Sequence, residues 1–167
     1  MQKANHLPAK WRNVVFSLAA LLIVVADQLS KFWIKTNLAV GQSLPEVGFP
    51  RLTHVHNTGA AFGLFHGQTF LLTIVAFIGI AALLLYAVLF YRRVPSLGRL
   101  TWIGLGLILG GTVGNLIDRL HLGYVTDFID FGFWPAFNLA DSAIVVGVII
   151  FAYSLLRFAQ AEKHRNG

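Results

Sequence analysis

Carboxylates set at membrane depth are the first feature of this chain that could do chemistry. Its 167 residues include only seven acids, and four of these, Asp118, Asp127, Asp130 and Asp141, fall between positions 110 and 145. Asp118 and Asp141 lie in segments apolar enough to sit in a bilayer, as does Asp27 nearer the start. A charge in lipid is costly and marks a working site by default. Two carboxylates that share a site do not both ionise readily, so one proton is left between them. One member can then take a proton from water while the other gives one to a substrate. That division of labour belongs to aspartic proteases and suits amide hydrolysis at a membrane surface.

Asp127 and Asp141 are the best pair. Asn138 lies one helical turn before Asp141, and Asn115 has the same spacing from Asp118, so each Asn and Asp share a face. Arg119 could hold one carboxylate ionised or anchor a loop. Plainer roles stand beside these. Asn138 and Asp141 make a plausible helix-start capping pair. Asp118 with Arg119 could be a local ion pair, and Asp27 with Lys31 is an i,i+4 pair that neutralises a buried charge. Glu46 and Asp130 read as ordinary outer-loop charges. His54 and His56 would share one side of a strand, but no third ligand accompanies them, so no metal is expected. No cofactor is expected either, and EDTA should not inhibit.

The elements that must position these groups are membrane spans. The chain is 56% hydrophobic and 12% charged, against roughly 25% charged in soluble domains. Four spans are expected, at about residues 14–34, 69–91, 100–120 and 137–156, within a single membrane domain. The first is about 31 Å long as helix, enough to cross. Its opening apolar run with a basic tail resembles a signal peptide, but no small-x-small cleavage site follows. Outer loops are expected at 35–68 and 121–136. Residues 52–56 alternate and read as a short strand, and Asn57-Thr58-Gly59 is a turn signal. Gly106, Gly110 and Gly114 repeat every four residues on span three and form a small-residue packing face.

Charge placement orients the spans. The first tail, the loop at 92–99 and the last tail carry three Lys/Arg each, nine of the thirteen. The positive-inside rule puts both termini and that loop in the cytoplasm, and an even number of spans agrees. The bias also accounts for the net charge of +6 without nucleic acid. On this topology Asp27 lies about 20 Å up span one and Asp118 about 27 Å up span three. Asp141 lies about 6 Å below the outer face on span four, with Asp127 in the loop above. The carboxylates converge on one outward layer. The absence of cysteine excludes disulfides, thiolate metal sites and a Cys nucleophile. No His-Glu-x-x-His, Gly-x-Ser-x-Gly or Gly-rich phosphate loop is present.

Four blocks in order carry a resemblance: Asp27-Gln-Leu-Ser-Lys31; Asn57-Thr-Gly-Ala-Ala-Phe62; Gly110-Gly-Thr-Val-Gly-Asn-Leu-Ile-Asp-Arg119 leading to Val125-Thr-Asp-Phe-Ile129; and Phe137-Asn-Leu-Ala-Asp-Ser142. The chain resembles lipoprotein signal peptidase, or signal peptidase II, a bacterial membrane aspartyl peptidase. The resemblance implies that Asp127 and Asp141 are the catalytic dyad. It implies that Asp27, Asn57, Asn115, Asp118, Arg119 and Asn138 shape the site. The substrate would be a prolipoprotein carrying diacylglycerol on a cysteine, cut just before that cysteine. Membrane lipids would surround the enzyme and globomycin would occupy its site. Such a protein is a multi-pass protein of the bacterial cytoplasmic (inner) membrane with its site facing outward. The implied fold is mainly α: four transmembrane helices, a small β-cradle from the first outer loop and a short helix in the second. Two other classes remain. A proton-coupled transporter would also place Asp and Arg in the membrane, usually with repeated halves and acids nearer the midplane. A non-catalytic scaffold would use the glycine faces but leaves the layered carboxylates unexplained.

Overall fold

The computed structural model describes residues 9–48, 50–59, 67–93 and 98–166. Part of the first tail, Ala60, Ala61 and Phe62 of the second block, and part of the basic loop lie outside the described residues. Four long helices form the body: α1 Ala9–Asn37, α2 Thr69–Arg93, α3 Arg99–Leu122 and α4 Leu139–Asn166. All four are long and apolar enough to cross a membrane. Each begins or ends within a few residues of the expected span, except that α1 starts earlier and α4 runs ten residues further. No Gly or Pro interrupts residues 157–166, and Arg, Ala, Gln, Glu and Lys there are good helix formers.

Helix α3 lies at the centre and packs against α1, α2 and α4. It can do so because two of its faces carry glycine. A Cβ on Gly106 would stand 2.6 Å from Phe16 O, and one on Gly110 the same distance from Ala20 O. These two bring α1 close, as their four-residue repeat predicts. A second face, not singled out from the sequence, meets α4: a Cβ on Gly104 or on Gly147 would stand 2.8 Å from the other's carbonyl oxygen, and one on Gly111 would run into Ala140 O. Leu22, Leu29 and Phe32 on α1, Phe70 and Ile78 on α2, and Val145 and Ile149 on α4 point outward. Apolar surface of that extent on helices of membrane-spanning length is what lipid covers.

A three-stranded antiparallel sheet caps one end of the bundle, in the order β1 (Ser43–Leu44), β2 (Arg51–Asn57), β3 (Val125–Asp130). The expected strand at 52–56 is the middle of β2. The cradle draws on both of the loops expected on the outer side, not the first alone, because β3 comes from the second. Where the resemblance implies a short helix in the second loop, the described backbone between α3 and α4 is strand and turn. The physical reason is pairing. Val125 lies opposite Asn57, Asp127 opposite Val55 and Asp130 opposite Arg51, and β3 is buried on both faces except at Ile129. A segment enclosed in this way satisfies its backbone best in a ladder. Gly123, at φ 77, ends α3 and turns the chain into β3.

Ile34, Leu38 and Phe128 seat the sheet on the end of α1, and His54 Nδ1 lies 2.8 Å from Leu38 O. Asp130 is not the ordinary loop charge it resembles. It is buried, and its Oδ2 accepts from Arg51 Nε at 2.7 Å and Thr53 Oγ1 at 2.9 Å. This clamp ties the C-terminal end of β3 to β2.

Candidate active site

Asp127 projects from the middle of β3 and Asp141 from the first turn of α4, and both line one cavity of about 640 Å³. Asn57, Asn115 and Arg119 line it as well, with apolar walls from Trp134, Phe137, Ile144 and Val145. The site draws on β2, α3, β3 and α4, which is why no single stretch of sequence contains it.

Asparagines hold the two carboxylates. Asp127 Oδ2 accepts from Asn57 Nδ2 at 2.8 Å, and its Oδ1 accepts from Asn138 Nδ2 at 2.7 Å. Asp141 Oδ1 accepts from Asn115 Nδ2 at 2.7 Å. Asn138 N–H donates to Asp141 Oδ2 at 3.3 Å, while Asp141 N–H donates to Asn138 Oδ1 at 2.9 Å. This is the reciprocal geometry of a capping box. The capping role and a place in the cavity are therefore both true of Asp141, where the sequence offered them as alternatives. Asn138 is fully buried and touches both carboxylates. Its Nδ2 also reaches Asn115 Oδ1 at 3.0 Å.

Burial, and then the neighbouring Asp141, push the Asp127 carboxyl from the usual 3.8 up to about 7, against the pull of the Asn57 and Asn138 hydrogen bonds. A carboxyl in that range holds a proton near neutrality, as a general acid must.

Asp27 and Asp118 do not line the cavity. Both converge on Lys31, whose Nζ lies 2.9 Å from Asp27 Oδ2 and 3.2 Å from Asp118 Oδ2. The i,i+4 pair of Asp27 with Lys31 is thus present, and Asp118 takes its cation from α1 and not from adjacent Arg119. Arg119 faces the cavity, with Asp141, Asp127 and Asp118 as its charged neighbours, and its Nη2 approaches Gly59 O at 3.5 Å. Of its two expected roles, anchoring the outer loop has that one long contact. His54 and His56 do share one side of β2, with ring centroids 5.0 Å apart. His56 stacks on Tyr124 at 3.7 Å, and no group of three metal-ligating side chains occurs among the described residues. Sequence reasoning missed two of the three partners of Lys31, Asp118 and Asn115. The signal was there: a buried ammonium has three donors to satisfy, and Asp27 alone does not satisfy them.

The model of the signal peptidase II (SPase II) family matches residues 19–157. The chain belongs to the signal peptidase II family. It is therefore a membrane peptidase, and the transporter reading gains no support from these matches. A protein named lipoprotein signal peptidase from Moorella thermoacetica is 50% identical over 143 residues, covering 84% of this chain and 92% of that one. One of the same name from Dehalococcoides mccartyi is 51% identical over 139 residues, covering 83% and 86%. A solved structure described as a bacterial membrane enzyme matches with TM-score 0.72 at 33% identity, over 84% of this chain and 86% of that one. A second so described matches with TM-score 0.71 at 31% identity, over 93% and 97%.

Proposed function

We propose that this peptidase is an aspartyl endopeptidase that removes the signal peptide from a diacylglyceryl-modified prolipoprotein, with Asp127 and Asp141 as its dyad. The observation that carries the reading is their sharing of one cavity and one asparagine: Asn138 bonds Asp127 through its side chain and Asp141 through its backbone N–H. The names of the relatives support the substrate class.

A water between the two carboxylates is the nucleophile. With the proton resting on Asp127, Asp141 takes a proton from the water as its oxygen attacks the scissile carbonyl carbon. Asp127 protonates the carbonyl oxygen, and a tetrahedral diol results. Collapse breaks the C–N bond as Asp141 gives its proton to the nitrogen and Asp127 takes one back from a diol hydroxyl. The products are the carboxyl end of the signal peptide and the free amino group of the lipidated cysteine, with the cut just before that cysteine. Asn57, Asn115 and Arg119 face the same cavity and are available to substrate carbonyls. The apolar walls suit a substrate that stays in the bilayer, and a globomycin-type inhibitor would fill the same space. The Lys/Arg bias supports an orientation with both termini cytoplasmic and the sheet, with the site beneath it, on the outer side of the bacterial inner membrane.

The test is cleavage of a diacylglyceryl-modified prolipoprotein in detergent by wild type, Asp127→Asn and Asp141→Asn, each checked by thermal melt. Wild type should cut and neither folded variant should. A folded variant that still cuts removes its residue from the dyad. A wild type that does not cut this substrate refutes the substrate assignment.

A further inference from the structure

Lys31 has no exposed surface. An ammonium carries three N–H donors and no acceptor, and Lys31 Nζ has three acceptors on three residues. They are Asp27 Oδ2 at 2.9 Å, Asn115 Oδ1 at 2.9 Å and Asp118 Oδ2 at 3.2 Å. Each of the three leads on to the dyad. Asp27 Oδ1 accepts the backbone N–H of Ala140 at 3.0 Å, one residue before Asp141. Asp118 Oδ2 accepts the backbone N–H of Thr126 at 2.9 Å, one residue before Asp127. Asn115 can place its oxygen on the ammonium in only one of its two amide orientations. The other would set N–H against N–H. In the allowed orientation Nδ2 donates to Asp141 Oδ1 at 2.7 Å.

Charge neutralisation alone does not account for this. Neutralising Asp27 or Asp118 needs a cation near a carboxylate. It does not need a third bond to a neutral amide, nor acceptors that each continue to a member of the dyad or to the residue beside one. We propose that Lys31 is a positioning residue for the dyad: its ammonium fixes Asp27, Asn115 and Asp118, and through them the backbone beside Asp127 and Asp141 and the side chain of Asp141. The proposal rests on the aspartyl reading above. It places the origin of the site's geometry on α1, an element that contributes nothing to the cavity lining.

The experiment compares wild type, Lys31→Met, Asp27→Asn/Lys31→Met and Gly104→Ala on the lipid-modified substrate, with kcat taken per folded molecule. Lys31→Met keeps the length of the side chain and removes all three donors. The double variant restores the formal charge of the Asp27, Lys31 and Asp118 cluster to its original −1 and keeps an acceptor for Ala140 N–H. Gln28 Nε2, which reaches Asp27 Oδ2 at 3.2 Å and Gly114 O at 3.1 Å, remains to hold the neighbourhood together. Gly104→Ala loosens α3 against α4 far from the site and controls for lost stability. Both Lys31 variants should lose on the order of a hundredfold in kcat, the cost of a misplaced reacting group, with KM changed by less than about threefold. Gly104→Ala should melt lower and keep its kcat.

Recovery of kcat in the double variant would make Lys31 a charge balancer and overturn the proposal. So would a wild-type kcat in Lys31→Met, or a failure of both Lys31 variants to fold, which would assign the residue to fold stability. A wild type inactive on this substrate would instead refute the functional reading and is read separately.

Discussion

Asp127→Asn should abolish cleavage and yet stabilise the folded enzyme at pH 8, with a stability relative to wild type that rises with pH. The cause is the carboxyl at about 7 where an unfolded chain has 3.8. Below 3.8 both states hold the proton and Asp127 carries no penalty. As pH rises from 3.8 to 7 the unfolded chain releases the proton while the folded protein keeps it, so stability falls throughout that window. Above 7 the full cost is present. At about 1.4 kcal/mol per pH unit the penalty is about 2 kcal/mol at pH 5 and about 4 kcal/mol at pH 8. An asparagine does not titrate and removes it. One donor, from Asn57 or Asn138, would then face the new NH2 group. That costs about 1–3 kcal/mol, but equally at both pH values. The clean quantity is therefore the change in the difference between variant and wild type, roughly 2 to 3 kcal/mol between pH 5 and pH 8. For a chain of this size that is roughly 5 to 10 °C in Tm. Thermal melts of both proteins at the two pH values, in one detergent, measure it. Tm differences that stay constant with pH would show that Asp127 does not hold its proton near neutrality, and the acid role assigned to it would fall.

The same carboxyl should set an alkaline limb near pH 7 in kcat/KM of the free enzyme. Asn57→Ala removes a bond that favours the ionised form, so the limb should move up by about one pH unit; a limb that stays or moves down refutes the assignment. Gly114→Ala would set a Cβ 2.6 Å from Asp27 Oδ2, so it should cost about 1–3 kcal/mol as overpacking and lower kcat as well. A variant that loses stability and keeps its kcat would uncouple this cluster from the dyad. Arg51→Ala breaks a clamp on Asp130 that is partly exposed on its Arg51 side and should cost no more than about 1 kcal/mol, with kcat within about threefold; a larger fall in kcat would give the C-terminal end of β3 a part in catalysis.

How far the sequence could be read follows from which interactions are local. The spans were legible because hydropathy is a property of single segments. Residues 106, 110 and 114 were legible because four-residue spacing is a helix face. The facing glycines at 104 and 147 were not, since that match exists only between helices. Strand β2 shows its alternation, whereas β3 reads as loop because its side chains are buried on both faces and its alternation carries no polar side. Asp130 looks like a loop charge until Arg51, distant in sequence, is placed opposite it. Asn115 and Asn138 could be placed on the faces of Asp118 and Asp141, and the structure keeps Asn138 with Asp141 but gives Asn115 another partner. Asn115 bonds Asp141 on another helix, while Asp118 turns to Lys31 and Thr126. Spacing along one helix predicts a shared face, not which group across the interface is met.

Asn115's change of partner has a chemical consequence. A cation in direct contact with Asp127 or Asp141 would favour its ionised form and remove the proton the pair needs to share. Lys31 does not touch either one. Asn115 stands between it and Asp141, and the ammonium's pull on Asp127 is the weakest of the influences on that carboxyl. Asp27 and Asp118 take up the charge and pass on only position, through backbone N–H groups. A neutral amide and two peptide bonds thus let one buried cation order both carboxylates while leaving the proton they share between them. Asn115→Asp tests the point. It would set a third carboxylate between Lys31 and Asp141 and replace a donor to Asp141 by an acceptor. Activity should fall on the order of a hundredfold, and Asn115→Ser, shorter but neutral and still able to donate, should retain more of it than Asn115→Asp. If the two variants lose equally, the amide acts through its shape alone and its neutrality is immaterial.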